Sequence, residues 1–321
     1  MLLDTTLREG EQAVGVTFTP ARRRLLLTAL ARAGVSEAEV GWAGHPELAA
    51  TVADARRLAP HLAIGIWCRA REDDLAKAAA LRPDWLAVGL PVSDLHLERR
   101  LGRDRRWAIG QPAVLAVRAR TLGVPVALGL EDATRADPAV VASVASGAQA
   151  AGITRLRLAD TCGIAGPGQI AALVGEVRAR FGGLVGLHLH DDFGQAMGNA
   201  LAGFEAGADR CDGSLLGLGE RAGICATERL AAWSALRHGR PFPRLAPLLA
   251  ACRRLAGWTG RAIDVDRPLL GQGIFACETG IHLHGLLQDP RTFEPYDPSA
   301  VGARRAWHGG WKAGRAGARR P

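Results

Sequence analysis

Eight short apolar segments alternate with longer segments of helical periodicity, and this alternation constrains the fold more than any other feature. A strand followed by a helix, repeated eight times, predicts an α/β fold, the (β/α)8 TIM barrel. A doubly wound open sheet is the competing fold, but it seldom needs eight regular units. The predicted strands cover residues 2–4, 37–41, 62–68, 85–90, 124–130, 155–158, 184–190 and 210–216, and the predicted helices cover 21–33, 46–58, 72–80, 109–122, 138–151, 167–180 and 194–206.

Polar residues cluster directly after the predicted strands. In a TIM barrel the carboxyl ends of the strands meet at one face, which carries the active site in enzymes of this fold. We therefore expect these side chains to converge on one site. They are Arg8 and Glu9 after the first strand, Arg69 after the third, Glu131 and Asp132 after the fifth, Asp160 and Thr161 after the sixth, and His188 and His190 at the seventh.

The pair His188 and His190 predicts a metal site. Side chains two positions apart on a strand point to the same side, so both imidazoles face one way. Imidazoles and carboxylates bind divalent metal ions. Segment 4–12 adds an arginine, glutamates and an amide just after the first strand. We interpret Asp191 and Asp192, which follow the histidines, as supports of the site rather than ligands.

Residues after about 240 do not fit another barrel unit. We predict a catalytic barrel over 1–240, a helical C-terminal subdomain over 241–302 and a disordered basic tail over 303–321. Pro241-Phe242-Pro243 marks the linker. Within the subdomain, helices are predicted over 244–255 and 277–287.

The charge distribution argues against a nucleic-acid partner. The net charge is +8, and residues 303–321 contribute +6 of it with no acid, so the other residues total only +2. No apolar segment reaches membrane-spanning length and no secretory signal is evident, so we expect no membrane partner. The six cysteines lack CxxC spacing, which is typical of reduced thiols in a cytoplasmic protein.

Four motifs together resemble the acetyl-CoA-dependent Claisen-condensing synthases that make 2-isopropylmalate, citramalate and homocitrate. They are LREGEQ at 7–12, HLHDDFG at 188–194, GLGERAG at 217–223 and CETGIH at 277–282. Within this family, the chain is most similar to the homocitrate synthases of nitrogen-fixing bacteria. That likeness rests on segments 66–69, 91–94, 101–104 and 131–138.

The resemblance implies a reaction and its cofactor. Acetyl-CoA would condense with 2-oxoglutarate, a 2-oxo dicarboxylic acid, to give homocitrate and CoA. Glu9, His188 and His190 would hold a divalent metal ion, either Mg, Mn or Zn, that orients the oxoacid and acts as Lewis acid. The family also implies a cytoplasmic homodimer.

The resemblance also implies roles for other residues. Arg8 would stabilise charge that develops on oxygen, and Glu131 would be the base that removes a methyl proton. His282 would be a catalytic histidine delivered over the barrel of the partner subunit. The expected substrate-binding residues are Gln12, Glu39, Arg69, His96 and Thr161.

Several departures from the family pattern keep other functions open. Ile224 replaces the usual asparagine, Cys277 replaces a histidine, Phe293 matches a tyrosine, and segment 307–311 replaces a Gly-Lys-His-Ser-Gly motif. One alternative is condensation with 2-oxoisovalerate or pyruvate, as in 2-isopropylmalate or citramalate synthase. Another is retro-aldol cleavage of a hydroxyacyl-CoA, although the lyase cysteine loop is absent. A third is a non-catalytic barrel that binds metal or oxoacid.

Overall fold

In the computed structural model, which describes residues 2–237 and 245–318, eight parallel strands form a closed barrel. The barrel closes where β1 pairs with β8, with Leu2 beside Cys211. The predicted TIM barrel is therefore confirmed. Its strands are β1 Leu2–Asp4, β2 Glu37–Trp42, β3 Ala63–Arg69, β4 Trp85–Pro91, β5 Val126–Glu131, β6 Arg155–Asp160, β7 Leu184–Leu189 and β8 Arg210–Gly213.

Helices connect successive strands of the barrel, as the alternating pattern predicts. A short helix, α4, follows β4 and continues into a π-helical turn over Leu97–Leu101. The helices of this part of the chain are α1 Pro20–Arg32, α2 Leu48–Leu58, α3 Glu72–Ala79, α4 Asp94–His96, α5 Arg105–Leu122, α6 Pro138–Ala150, α7 Pro167–Arg178, α8 Ala196–Glu205 and α9 Thr227–Ala232.

Capping chemistry sets several helix boundaries. The Thr19 hydroxyl accepts a hydrogen bond from the backbone N–H of Arg22 at 3.3 Å, and Pro20 occupies the first position of α1. The predicted helix 109–122 begins earlier, at Arg105, because the Asp104 carboxylate caps it by accepting from the backbone of Trp107 at 2.9 Å.

The predicted eighth strand, 210–216, was too long, since β8 ends at Gly213. Leu216 has a φ of 62° in the 3-10 turn Leu215–Gly217, a conformation that a strand cannot contain. Apolar composition alone does not reveal such a turn.

The lower part of the barrel interior is charged rather than purely apolar. Glu37 forms ion pairs with Arg155 at 3.2 Å and with Arg210 at 2.7 Å. The Arg155 guanidinium lies 4.7 Å from the Trp85 ring centroid. Gly65 makes room for this indole, because a Cβ there would lie 2.3 Å from it. Paired charges and an aromatic ring thus fill the base of the barrel.

By contacts, the chain divides into two compact units, residues 1–230 and 231–321. The second contains α10 Leu245–Thr259, α11 Gly280–Gln288 and a parallel pair of short strands, β9 Ala276–Cys277 and β10 Ala306–Trp307. The predicted helix 277–287 begins later, at Gly280, because Cys277 is in β9. The linker Pro241-Phe242-Pro243 and the boundary at 240 lie outside the described residues.

The expectation of a disordered tail over 303–321 is wrong for its described part. That segment supplies β10 and then a 3-10 helix, Trp311–Ala318. Its backbone packs closely against the start of α11, since a Cβ on Gly280 would lie 2.6 Å from the Ala313 carbonyl oxygen. Among the described residues, no helix is long and apolar enough to span a membrane.

Candidate active site

The carboxyl ends of the barrel strands surround a cavity of about 430 Å³. Most of its lining residues are polar or charged, and they come from loops and strand ends that are far apart in sequence. The lining residues are Arg8, Glu9, Gln12, Trp67, Gly89, His96, Arg100, Gly129, Glu131, Arg157, Ala159, Thr161, His188, His190 and Glu220.

Three buried side chains in this cavity form a metal-type cluster. One donor atom from each of Glu9, His188 and His190 lies within 4.8 Å of the other two. Nε2 of His188 is 3.7 Å from Oε2 of Glu9, and the two imidazole rings meet edge-on, with centroids 5.2 Å apart. Two imidazoles and one carboxylate are a donor set suited to a divalent ion.

The protonation states also suit a metal ion. Burial and the nearby Arg8 guanidinium hold the pKa of His188 well below its usual value, and burial lowers the pKa of His190. Burial acts to raise the pKa of Glu9, but Arg8 and the histidines outweigh it and the pKa is lowered. Nδ1 of His190 is buried without a hydrogen-bond partner among the described residues. This set fits a bound cation.

Charged residues beneath the cluster orient it. Nδ1 of His188 lies 2.9 Å from Oδ2 of Asp212, and Arg157 donates to the same oxygen at 2.9 Å. Arg157 also donates to Glu39, which accepts from Nε of Arg8 at 2.9 Å. Arg8 in turn contacts Glu9, so the pairs form a closed ring of side chains. Each buried charge in this ring has an opposite partner.

The glycine-rich segment 217–223 packs against the metal-type cluster. The backbone N–H of Glu220 donates to Oε1 of Glu9 at 3.2 Å, and a Cβ on Gly223 would lie 1.8 Å from the Gly217 carbonyl oxygen. Ile224, the next residue, is buried and its backbone forms a bridge to His190. The segment thus holds two donor residues in place, and the glycines permit its tight path.

Glu131 lies at the end of β5 on another part of the cavity wall. Its Oε2 accepts a hydrogen bond from Nη1 of Arg100 at 3.0 Å. The same Arg100 atom lies 2.9 Å from Nδ1 of His96. A Cβ on Gly89 would lie 2.2 Å from the Glu131 carboxylate, so glycine is needed there for this side chain to occupy its position.

Eight of the eleven predicted site residues line this cavity, including Gln12 and Thr161. Glu39 instead lies below it, fully buried between Arg8 and Arg157. Both of its carboxylate oxygens contact guanidinium groups, and its role as a substrate-binding residue stays a prediction.

Two other predicted residues lie outside the main cavity. Arg69 is paired with Asp74 at 2.8 Å and lines a neighbouring depression. His282 lies in the second unit, on the exposed side of α11, with its ring centroid 4.2 Å from that of Phe293. Its predicted action on the barrel of a partner subunit stays a prediction.

Sequence reasoning missed several residues of the site. Arg157 and Asp212 lie within strands, where their neighbours are apolar or small, and such isolated charges in a barrel strand are a usable signal. Arg100 and Trp67 carry no comparable signal, since an arginine on a helix and a tryptophan in a strand are ordinary. Only the closed barrel brings them to the cavity.

Residues 1–244 match the family described as HMGL-like, and residues 269–319 match the homocitrate synthase post-HMGL domain-like family. A homocitrate synthase from Frankia alni is 40% identical over 98% of this chain and 91% of its own length. A probable 2-isopropylmalate synthase from Ignicoccus hospitalis is 34% identical over 98% of this chain and 80% of its own length.

Solved structures share the fold at lower identity. The HMG-CoA lyase of Bacillus subtilis superposes with a TM-score of 0.71 and 20% identity, covering 82% of this chain and 94% of the lyase. At this level of identity, the likeness concerns the barrel fold alone.

Proposed function

This chain belongs to the HMGL-like family, in its homocitrate and 2-isopropylmalate synthase branch, and we propose that it condenses acetyl-CoA with 2-oxoglutarate to give homocitrate and CoA. The coarser activity, condensation of acetyl-CoA with a 2-oxoacid by an acyltransferase, follows from the family. The choice of 2-oxoglutarate, the metal dependence and the residue roles are our proposals.

The proposal rests on one observation: the metal-type cluster, Arg8 and Glu131 all line the same cavity. Glu9, His188 and His190 would hold a divalent ion. When bound, such an ion acts as a Lewis acid towards the oxygen atoms of a 2-oxoacid. Arg8 lies beside Glu9 and would stabilise negative charge on the acceptor oxygen as the new bond forms.

The lining of the cavity favours a dicarboxylic acceptor over a branched apolar one. Apart from glycines, only Trp67 and Ala159 among the lining residues are apolar. Arg8 and Arg157 each already contact two carboxylates, whereas Arg100 pairs with one carboxylate, that of Glu131, and has a half-exposed side chain. Arg100 is therefore available for the distal carboxylate of 2-oxoglutarate, and an isopropyl group would have few apolar partners.

Glu131 is the proposed base. Its carboxylate would take a proton from the acetyl methyl group, and the resulting carbon nucleophile would attack the keto carbon of the acceptor. The keto oxygen takes up a proton and becomes a hydroxyl group. Water then hydrolyses the thioester, which releases CoA and leaves the new carboxylate. Gln12 and Thr161 line the cavity where they could donate hydrogen bonds to the acceptor.

A thiol-release assay with a panel of 2-oxoacids tests this function. We expect metal-dependent CoA release that is fastest with 2-oxoglutarate, and homocitrate as the product in mass spectrometry. Faster release with 2-oxoisovalerate or pyruvate would reassign the acceptor. No release with any 2-oxoacid, in protein shown to be folded and metal-loaded, would overturn the condensation. A dimeric assembly and a role in nitrogen fixation stay predictions.

A further inference from the structure

The second unit contains a cavity of its own, with a volume of about 650 Å³. Its wall is formed by α10, by the loop 263–272 and by segment 302–304. It shares no lining residue with the cavity of the barrel. A cavity of this size can hold a small organic ligand, and no step of the proposed condensation uses it.

One part of the wall is apolar, and its loop is closed on itself. The backbone N–H of Gly273 donates to the Val265 carbonyl at 2.7 Å, and a Cβ on Gly271 would lie 2.4 Å from the same oxygen. Leu269 has a φ of 70°, a conformation that leucine rarely adopts and that is found most often at ligand sites and other functional positions. The side chains of this apolar part belong to Ile263, Val265, Leu269 and Leu270.

The polar part of the wall is cationic. Arg253 and Arg304 line the cavity together with Gln272, and no carboxylate among the described residues does so. Arg305, next along the chain, is paired with Glu294 at 2.7 Å. By contrast, Arg253 and Arg304 have no carboxylate within ion-pairing distance in the part of the chain that the structure describes. Guanidinium groups that lack such a partner can bind the carboxylate of a ligand through two parallel hydrogen bonds.

The charge of the whole unit also favours an anionic ligand. Residues 231–321 contain 14 basic and 6 acidic side chains, a net charge of +8, whereas residues 1–230 contain 26 of each. The entire net charge of the chain therefore belongs to the unit that holds this cavity. A field of this sign raises the local concentration of anions.

We infer that this cavity is a second ligand site, which binds a carboxylate that carries an apolar hydrocarbon body. The carboxylate would pair with Arg253 and Arg304, and the hydrocarbon would be buried against the apolar part of the wall. A short polar acid such as 2-oxoglutarate has no such body, so it would gain little here. This inference does not rest on the proposed function.

Octanoate is the probe, and two companion compounds each lack one of its features. 1-Octanol has the chain without the charge, and acetate has the charge without the chain. We expect calorimetry on the full chain to show saturable binding of octanoate, with the companions bound at least about tenfold more weakly. Excess 2-oxoglutarate should not displace octanoate.

Two variants test the two parts of the wall. In Arg253→Gln/Arg304→Gln, the Kd for octanoate should rise at least about tenfold, because the carboxylate loses both charged partners. In Val265→Asp, a change at an exposed position, the Kd should rise by a similar factor, because a charged group would face the hydrocarbon. This single variant keeps the test decisive if the double variant does not fold.

The matched control is Arg254→Gln/Arg261→Gln. It removes the same charge from two exposed arginines of the same unit that do not line the cavity. Its Kd for octanoate should stay within about twofold of the wild-type value. Equal weakening in both double variants would mean that only net charge attracts the probe, and would overturn the inference.

Four other outcomes would also overturn it. They are no saturable binding of octanoate, binding of acetate or 1-octanol as tight as that of octanoate, wild-type affinity in either wall variant, and displacement of octanoate by 2-oxoglutarate, which would place the probe in the barrel. All of these are binding measurements. Failure of the proposed condensation in the thiol-release assay would therefore leave this test intact, and normal CoA release would not rescue the inference.

Discussion

Nδ1 of His188 and Oδ2 of Asp212 lie 2.9 Å apart, which leaves Nε2 of the imidazole on the side of Glu9. A carboxylate that accepts from one ring nitrogen fixes the tautomer and makes the other nitrogen a better metal ligand. Arg157 holds Asp212 in this position from the opposite side. The orientation of His188 is therefore determined inside the barrel, by side chains on β8 and β6 rather than by the loop that carries Glu9.

We expect Asp212→Asn to weaken the affinity for a divalent ion about 10- to 100-fold, because His188 would lose its orienting acceptor. Calorimetric titration with Mn²⁺ measures this directly. Asp209→Asn is the control, since Asp209 pairs with Arg178 just before the same strand. Equal metal affinity in wild type and Asp212→Asn would contradict an orienting role.

Removal of a proposed ligand should have a larger effect. We expect Glu9→Ala and His188→Ala each to lose most bound metal and nearly all turnover, while circular dichroism shows an intact fold. The reason is that the three donors come from two separate strand ends and form one site. Stoichiometric metal in both purified variants, measured by elemental analysis, would rule out the assignment.

The sequence alone predicts the eight-stranded architecture because each strand and each helix carries its own periodicity. It also predicts Glu9, His188 and His190, since two of them share a strand face and the third follows an apolar strand. It could not predict that Glu39 is enclosed by Arg8 and Arg157, because such pairing depends on the register between strands that are distant along the chain. Register is a property of the closed barrel.

The tail beyond residue 302 shows a different limit. Its glycine, alanine and arginine content is typical of disorder. Tertiary pairing overrides this composition, because the backbone of His308 donates to the Cys277 carbonyl at 2.8 Å and Ala306 donates to Phe275 at 3.1 Å. No local sequence pattern predicts a parallel pair of strands that are each only two residues long.

Glu131→Gln should retain metal and 2-oxoacid affinity but lose most turnover, because an amide cannot accept the methyl proton. Glutamine has nearly the same shape as glutamate, so the variant side chain still fits in the narrow space beside Gly89. Exchange of the acetyl methyl protons with deuterated solvent isolates this step, and it should be slowed along with turnover. Wild-type exchange in the variant would show that another group is the base.

Asp4 should give the fold an unusual pH dependence. Burial raises the pKa of Asp4 from 3.8 to about 6, although hydrogen bonds from Thr227 and Thr6 oppose the change. The folded protein therefore holds this proton more tightly than the unfolded chain does. The stabilisation is fully present below pH 3.8 and is lost as the pH rises through 6.

The difference in unfolding free energy between Asp4→Asn and wild type measures this contribution. Between pH 4 and pH 8 this difference should shift by about 2.5 kcal/mol in favour of the variant, whatever pH-independent effect the substitution has on stability. Asp54→Asn is the control: hydrogen bonds and charge from Arg57 and Arg24 lower the pKa of Asp54, so it titrates below this pH range and the difference should stay nearly constant between pH 4 and pH 8. A pH-independent difference for Asp4→Asn would mean that its carboxyl group titrates normally.

The last prediction concerns His282, whose exposed side chain lies on α11 in the second unit. If it acts on a partner subunit, a Glu9→Ala chain and a His282→Ala chain are each inactive alone. A hybrid dimer of the two contains one complete active site, in which the barrel of the His282→Ala chain supplies Glu9 and the other chain supplies His282. The second active site of the hybrid lacks both Glu9 and His282.

Such hybrids should therefore show about half of the wild-type activity per dimer. Co-expression with two different affinity tags, followed by sequential purification, yields hybrids free of either parent dimer. If His282 acts within its own subunit, every barrel in the hybrid lacks one essential group. Inactive hybrids that retain metal on the barrel with Glu9 would then assign His282 to its own chain, whereas half activity requires the histidine to cross between subunits.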